Sequence, residues 1–168
     1  MCRLSKGLSR VPFAGIRIAN ENDLALLDIK EILRGVDLFA RLDEELLEAL
    51  ADSSVITAFT AGDQLVRQGD EADGVWVITE GEVELQRGFT PAVNYGPGMV
   101  VGDLSLLSGE PHSVDAIAKT DGSRLIIGAG EFQAAVRHHP EVASEFIKVL
   151  ISRIRFLQGL LDQAQAGH

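Results

Sequence analysis

Cysteine is almost missing from this chain, because Cys2 is the only one in 168 residues. A single cysteine excludes an internal disulfide and a cysteine-rich metal site, and it fits a reducing compartment, so we expect a cytoplasmic location. Long apolar runs are lacking too, since no stretch approaches the roughly 18 residues that a membrane-spanning helix needs. The first residues hold no compact apolar segment of the kind found in a secretory signal. The sequence therefore predicts a globular domain without a membrane span.

Basic residues are scarce relative to acidic ones, with 15 lysines and arginines against 25 aspartates and glutamates and a net charge of −10. Domains that bind nucleic acid usually carry a basic face, so we expect no DNA binding by this chain alone. Residues 1–20 are the exception, because they hold Arg3, Lys6, Arg10 and Arg17 and no acid. This basic arm, residues 1–21, is predicted to be either partly ordered or docked on an acidic partner.

Histidine is also scarce, and the positions of the four histidines argue against an enzyme. A metal-dependent jelly-roll enzyme needs histidines clustered on inner strands. Only His112 falls within the β-rich part of this chain, whereas His138 and His139 fall between predicted helices. No Ser-His-Asp or Cys-His arrangement stands out. We therefore predict a non-enzymatic protein with no catalytic residue, no metal site and no required cofactor.

The chain itself reads as a β-rich middle section between two helical ends. Apolar residues at helical spacing predict N-terminal helices over residues 22–54 and C-terminal helices over residues 131–164, followed by a tail over residues 165–168. Residues 55–130 hold short β-type runs separated by glycines, and even spacing of many short strands predicts an antiparallel barrel or jelly roll. The clearest predicted strands are Val75–Ile78, Glu82–Gln86, Val93–Tyr95, Ser113–Ala118 and Arg124–Ile127.

The last predicted helix starts at Pro140, a residue that suits a first helical turn, and runs for about 24 residues. Its apolar residues cover more than one face: Val142, Phe146, Val149, Leu150, Ile154, Leu157, Leu160 and Leu161. A second copy of the helix would cover the surplus apolar surface, which predicts a homodimer. The alternative is a single wide face folded back onto the β section.

Several features of this chain, in order, resemble the cyclic nucleotide-binding domain family. They are Gly62, Leu65, Gly69, the run Val75–Ile78 and then Glu80–Val83. LFARL, Leu38–Leu42, resembles the first helix of that family's domain, and GDLSLLSGEPHSV resembles its phosphate-binding cassette, here about residues 98–115.

The family includes the catabolite activator protein, the regulatory subunits of cyclic AMP-dependent kinase and cyclic nucleotide-gated channels. The resemblance covers roughly residues 36–160. It implies a mainly-β α+β fold, an eight-stranded antiparallel jelly-roll barrel with flanking helices and a long C-terminal helix.

The resemblance also implies a ligand site in the cassette, formed by Gly102, Asp103, Leu104, Ser105, His112, Ser113 and Val114. A short helix after Gly102 would point free N–H groups at the phosphate of a cyclic nucleotide. Three side chains depart from the family pattern: Asp103 replaces a glutamate, His112 an arginine and Val114 a small alanine. An imidazole cannot form the paired hydrogen bonds that a guanidinium makes to phosphate, and near neutral pH it is largely uncharged.

Three functions remain open on this evidence. The first is a cyclic-nucleotide sensor that binds cyclic AMP or cyclic GMP and acts through its C-terminal helix on an unknown protein effector. The second is a ligand-free protein-interaction module, in which Asp103 only caps the short helix and His112 faces solvent. The third is the regulatory part of a catabolite-activator-type transcription factor that lacks its DNA-binding head.

Overall fold

The computed structural model describes residues 29–166, so the basic arm and most of the predicted first helix lie outside the described residues. Residues 29–34 are helical (α1), and α2 covers Glu44–Asp52. Asp43 caps α2, because its side chain accepts a hydrogen bond from the Leu46 N–H at 2.8 Å. Between the two helices, Leu38–Leu42 forms hydrogen-bonded turns and not the expected helix. The backbone bonds from Phe39 to Val36 and from Leu42 to Phe39 span three residues, and the one from Ala40 to Val36 spans four, so the segment forms single turns and no continuous helix.

Eight strands and a short helix form the middle of the chain. The strands are β1 (Ser54–Phe59), β2 (Gln64–Val66), β3 (Gly74–Glu80), β4 (Val83–Gln86), β5 (Val93–Tyr95), β6 (Val100–Val101), β7 (Asp115–Ala118) and β8 (Gly122–Gly128). The helix, α3, covers Asp103–Ser108 between β6 and β7. The predicted strand at Ser113–Ala118 begins two residues later than expected.

The strands form two antiparallel four-stranded sheets, ordered β1-β8-β3-β6 and β2-β7-β4-β5. The mainly-β fold with eight strands, flanking helices and a long C-terminal helix is confirmed. The expectation of a closed barrel is corrected, because no strand of one sheet pairs with a strand of the other among the described residues. The two sheets face each other across an apolar layer instead, as in a sandwich.

Residues 75–78 of strand β3 are all apolar because both faces of the strand are covered there. Val75 and Val77 belong to the core between the first sheet and the helices, whereas Trp76 and Ile78 belong to the core between the two sheets. Alternate residues of a strand point to opposite faces. All four side chains are at most 3% exposed, so β3 lies at the centre of the molecule and fixes the positions of its neighbours β6 and β8.

Two helices close the described chain: α4 (Ala129–His138) and α5 (Pro140–Ala166). Phe132 of α4 and Phe146 of α5 make an edge-to-face contact with ring centroids 5.4 Å apart, and this pair fastens the two helices to the core. Beyond Phe146, α5 carries exposed apolar side chains at Ile147, Ile151, Ile154, Phe156 and Leu161. Within residues 29–166, no helix is both long and apolar enough to cross a bilayer.

Candidate functional site

The cassette begins at Gly102, where only glycine fits the backbone. Gly102 has a φ of +90°, and a Cβ placed on it would lie 2.6 Å from the carbonyl oxygen of Gly74. Both the left-handed conformation and the close approach to β3 therefore exclude a side chain. Gly102 precedes α3 without making a side-chain cap, so the first N–H groups of this helix are left for another acceptor.

Asp103, the first residue of α3, is only 4% exposed and is bonded to the C-terminal helix. Its Oδ2 accepts a hydrogen bond from Nη1 of Arg153, on α5, at 2.9 Å. A charge-assisted bond of this kind compensates a buried carboxylate for the water that it has lost. The alternative in which Asp103 caps α3 is wrong, because the carboxylate bonds to Arg153 and makes no cap to the helix N–H groups.

His112 is buried beside Gly102, so the alternative in which it faces solvent is wrong. It is 6% exposed, and its Cε1 lies 3.6 Å from the position that a Cβ on Gly102 would take. Two backbone bonds fix it to the turn after β2: its N–H donates to the Asp70 carbonyl and its carbonyl accepts from the Gly69 N–H, both at 2.8 Å. Residues from the two ends of the cassette therefore meet at one place.

A cleft of about 340 Å³ opens at His112, and most of the charge on its walls is negative. Its lining residues are Gln64, Leu65, Val66, Arg67, Asp70, Glu71, Asp73 and His112. The volume lies within the range of small-molecule sites. The lining holds three carboxylates and one arginine. An anion binds less favourably in such a cleft, because the nearby negative charges repel it.

A second arginine lies near this wall and compensates part of its charge. Burial lowers the pKa of Arg124, and the nearby carboxylate of Asp73 raises it again in part. The Arg124 guanidinium lies over the ring of Trp76, 4.6 Å from the ring centroid. Asp73 therefore faces a cation on β8, whereas Asp70 and Glu71 form no ion pair with any residue in the range 29–166.

The remaining predicted site residues spread over different surroundings. Leu104 is 52% exposed and Ser113 is exposed, while Val114 is half-buried. Ser105 borders a second, smaller cleft of about 220 Å³ together with Glu110 and Gln133, and Glu71 lines both clefts. The structure therefore brings Gly102, Asp103 and His112 together, and it places Ser105 against a different cleft from His112.

Sequence reasoning missed Arg153 and the acidic wall of the cleft. Arg153 follows Asp103 by 50 positions, and no local spacing connects a loop to a distant helix. Asp70, Glu71 and Asp73 lie in a glycine-flanked acidic turn, QGDEADG, that is typical of a solvated loop. An excess of acid close to a glycine-rich turn was the available indication, but only the fold places that turn beside His112.

Comparisons with known proteins agree with this geometry. The family model described as "Cyclic nucleotide-binding domain" matches residues 56–139. A cyclic nucleotide-gated potassium channel from Mesorhizobium japonicum is 31% identical over 124 residues, which cover 73% of this chain and 34% of the channel. The chain thus spans about a third of the length of that curated relative.

Solved structures share the fold over about three quarters of this chain. The regulatory domain of Toxoplasma gondii PKA, crystallised with cAMP, superposes with a TM-score of 0.68 at 23% identity, covering 77% of this chain and 51% of that one. The catabolite activator protein of Thermus thermophilus superposes with a TM-score of 0.65 at 25% identity, covering 77% and 63%. The family match over residues 56–139 and the 31% identity to the potassium channel place this chain in the cyclic nucleotide-binding domain family.

Proposed function

We propose that this domain is a non-enzymatic regulatory module that binds cyclic AMP or cyclic GMP weakly and passes the binding event to α5. The observation that carries the proposal is the hydrogen bond between Arg153 of α5 and Asp103 of the cassette, 2.9 Å long. This bond joins Asp103, which stands where the family pattern has the glutamate that accepts from the ribose hydroxyl, to the C-terminal helix α5. The site and the output element thus share one ion pair.

Competition for this ion pair supplies a mechanism. A ribose hydroxyl donates a hydrogen bond to a carboxylate, so a bound nucleotide would compete with Arg153 for Asp103. Alternatively, the phosphate of the ligand would attract Arg153 away from Asp103. Either event changes the contacts of α5, because Arg153 is part of that helix. A ligand that has different affinities for two arrangements of α5 shifts the balance between them.

Weak binding is expected from the charges around the cleft. His112 offers one hydrogen-bond donor where a guanidinium fork offers two, and a charge-assisted bond is worth about 1.5–3 kcal/mol. This corresponds to roughly ten- to a hundredfold in affinity. The carboxylates of Asp70, Glu71 and Asp73 on the same cleft disfavour an anion further.

The test is isothermal titration of the full chain with cyclic AMP and cyclic GMP, for the wild type and for His112→Arg. The substitution restores a bidentate phosphate partner beside Gly102, so we expect affinity to increase about tenfold or more. His138→Arg is the matched control, because it adds the same charge at an exposed residue of α4. It should leave affinity unchanged.

Two results would contradict the proposal. Absence of heat for wild type and His112→Arg at millimolar nucleotide would favour the ligand-free interaction module, an alternative that the acidic wall of the cleft also supports. Equal tightening by His112→Arg and His138→Arg would show that the effect is one of net charge, with no contact between residue 112 and the phosphate.

A further inference from the structure

Three potential metal ligands meet at the junction of the helices, away from the cassette. They are Asp43, His139 and Glu141, and one ligand atom of each lies within 4.8 Å of those of the other two. Asp43 caps α2, His139 caps the C-terminal end of α4, and Glu141 lies in the first turn of α5. The group therefore lies where the start of α2 meets the junction between α4 and α5.

The spacing of two of these ligands fits a metal ion. His139 Nδ1 and Glu141 Oε1 are joined by a hydrogen bond 3.1 Å long. Metal–nitrogen and metal–oxygen bonds of about 2.1 Å, at angles between octahedral and tetrahedral, separate two neighbouring ligands by roughly 3.0–3.4 Å. The two atoms are thus at the separation of neighbouring ligands, and an ion bound there would take the place of the proton between them.

Asp43 is oriented by the helix that it caps. Its Oδ1 accepts the Leu46 N–H at 2.8 Å, so the second carboxylate oxygen is available to an ion. A hydrogen bond to the non-coordinating atom of a ligand is the usual way in which proteins fix the direction of a metal-binding side chain.

The charge and the donor types select the kind of ion. Over the range 29–166, neither Asp43 nor Glu141 forms an ion pair with a lysine or an arginine. A divalent cation would neutralise the two carboxylates. Mg²⁺ and Ca²⁺ prefer oxygen ligands alone, whereas imidazole together with carboxylate suits Zn²⁺ and its first-row neighbours.

We propose that Asp43, His139 and Glu141 bind a divalent first-row transition metal ion such as Zn²⁺, with water completing the coordination. The ion ties the start of α2 to the α4–α5 junction, and so holds the base of α5 against the helical layer. The sequence analysis predicted no metal site, because it considered histidines clustered on inner strands and Asp43 lies far from the other two ligands along the chain.

The test is isothermal titration of the full chain with zinc chloride, together with thermal unfolding in zinc and in magnesium. We expect one zinc ion at this site, a higher midpoint of unfolding in zinc than in magnesium, and affinity weakened about tenfold or more in His139→Gln. His138→Gln is the matched control, because it removes the neighbouring exposed histidine outside the group. It should keep the affinity of the wild type.

A second variant and a spectroscopic probe make the result decisive. Glu141→Gln should weaken zinc as His139→Gln does, and cobalt(II) added to the wild type should give visible absorption bands that both variants reduce. Equal zinc affinity in the wild type and in both variants would overturn the proposal. Lack of any binding up to about 1 mM zinc, a free energy near −4 kcal/mol, would overturn it as well.

Discussion

At the scale of single residues, the chemistry of the cassette depends on how Asp103 is satisfied. The family pattern has a glutamate at this position, and the shorter aspartate still bonds to Arg153 of α5. Phe146, which is buried in the core, holds the same helix in place. The carboxylate side chain is 6% exposed and that of Arg153 is 39% exposed. A buried acceptor that loses its donor keeps the desolvation cost without the compensating bond. Asp103 therefore makes the stability of the domain depend on Arg153.

Replacing Arg153 by methionine should lower the free energy of unfolding by about 1–3 kcal/mol, because it leaves the Asp103 carboxylate buried without a cation. Partial exposure of Arg153 places the expected value toward the lower end of that range. Urea unfolding followed by circular dichroism measures the change. Arg155→Met is the matched control, since Arg155 is an exposed residue of the same helix. Equal losses in the two variants would show that the bond to Asp103 contributes nothing specific.

The cassette residues named from the sequence stay a prediction, and their partners came only from the structure. Gly102 was predictable, because a phosphate-binding loop needs a glycine before its helix, and the structure adds a second cause in the approach to Gly74. The burial of His112 was not predictable, since it results from two backbone bonds to the turn at Gly69 and Asp70. Local patterns carry backbone conformation, whereas burial and ion pairs depend on elements that meet only after folding.

At the scale of whole elements, the strands were predictable from local sequence patterns, whereas the contacts between helices were not. Alternation and glycine spacing predicted the central strands well, but the resemblance of Leu38–Leu42 to the family's first helix predicted a helix where the structure has turns. What connects α1 to α2 is an ion-pair cluster. Lys30 and Arg34 of α1 both bond to Glu44, the first residue of α2. Lys30 is 8% exposed, so Glu44 supplies the charge that a buried ammonium needs.

This cluster makes the stability of the helical layer depend on pH. The hydrogen bond from Lys30 lowers the pKa of Glu44 below its ordinary value of 4.5, and the charge of Arg34 adds to the effect. A lowered folded-state pKa gives stability that is present above the unfolded value and is lost as pH falls through the folded value. The difference in unfolding free energy between wild type and Glu44→Gln should therefore be constant above about pH 5 and shrink below pH 4.5.

Urea unfolding at several pH values between 3 and 7 measures this difference. Glu45→Gln is the matched control, because Glu45 is the next exposed residue of α2 and forms no ion pair in the part of the chain that is described. It should remain close to the wild type at every pH. A difference between wild type and Glu44→Gln that persists unchanged below pH 4 would mean that the charge of Glu44 contributes nothing to holding α1 against α2.

At the scale of the whole molecule, α5 presents apolar surface that the rest of residues 29–166 does not cover. Val142 and Phe146 are buried in the core, but Ile147, Ile151 and Ile154 are 57%, 43% and 54% exposed. Spacing of four and then three residues puts these isoleucines on one stripe of the helix, with Leu161 seven residues further along. Such a stripe is the pattern of a seam between two helices. The predicted homodimer therefore has a defined surface, the isoleucine stripe at 147, 151 and 154.

We expect the domain to form a dimer through this stripe, and the double variant Ile151→Glu/Ile154→Glu to be monomeric, because paired helices would bring four carboxylates together in an apolar seam. Sedimentation velocity at several concentrations measures the change. Phe156→Glu is the matched control: Phe156 is 67% exposed, but at about 100° per residue it lies on the opposite side of α5 from Ile147. It should leave the dimer intact.

A monomeric wild type at about 100 µM, or a dimer that survives both glutamates, would mean that the stripe does not pair with a second copy. Loss of the dimer in Phe156→Glu alone would show that the opposite face of α5 forms the dimer. A change at the bond between Asp103 and Arg153 would then act on a dimer interface other than the isoleucine stripe.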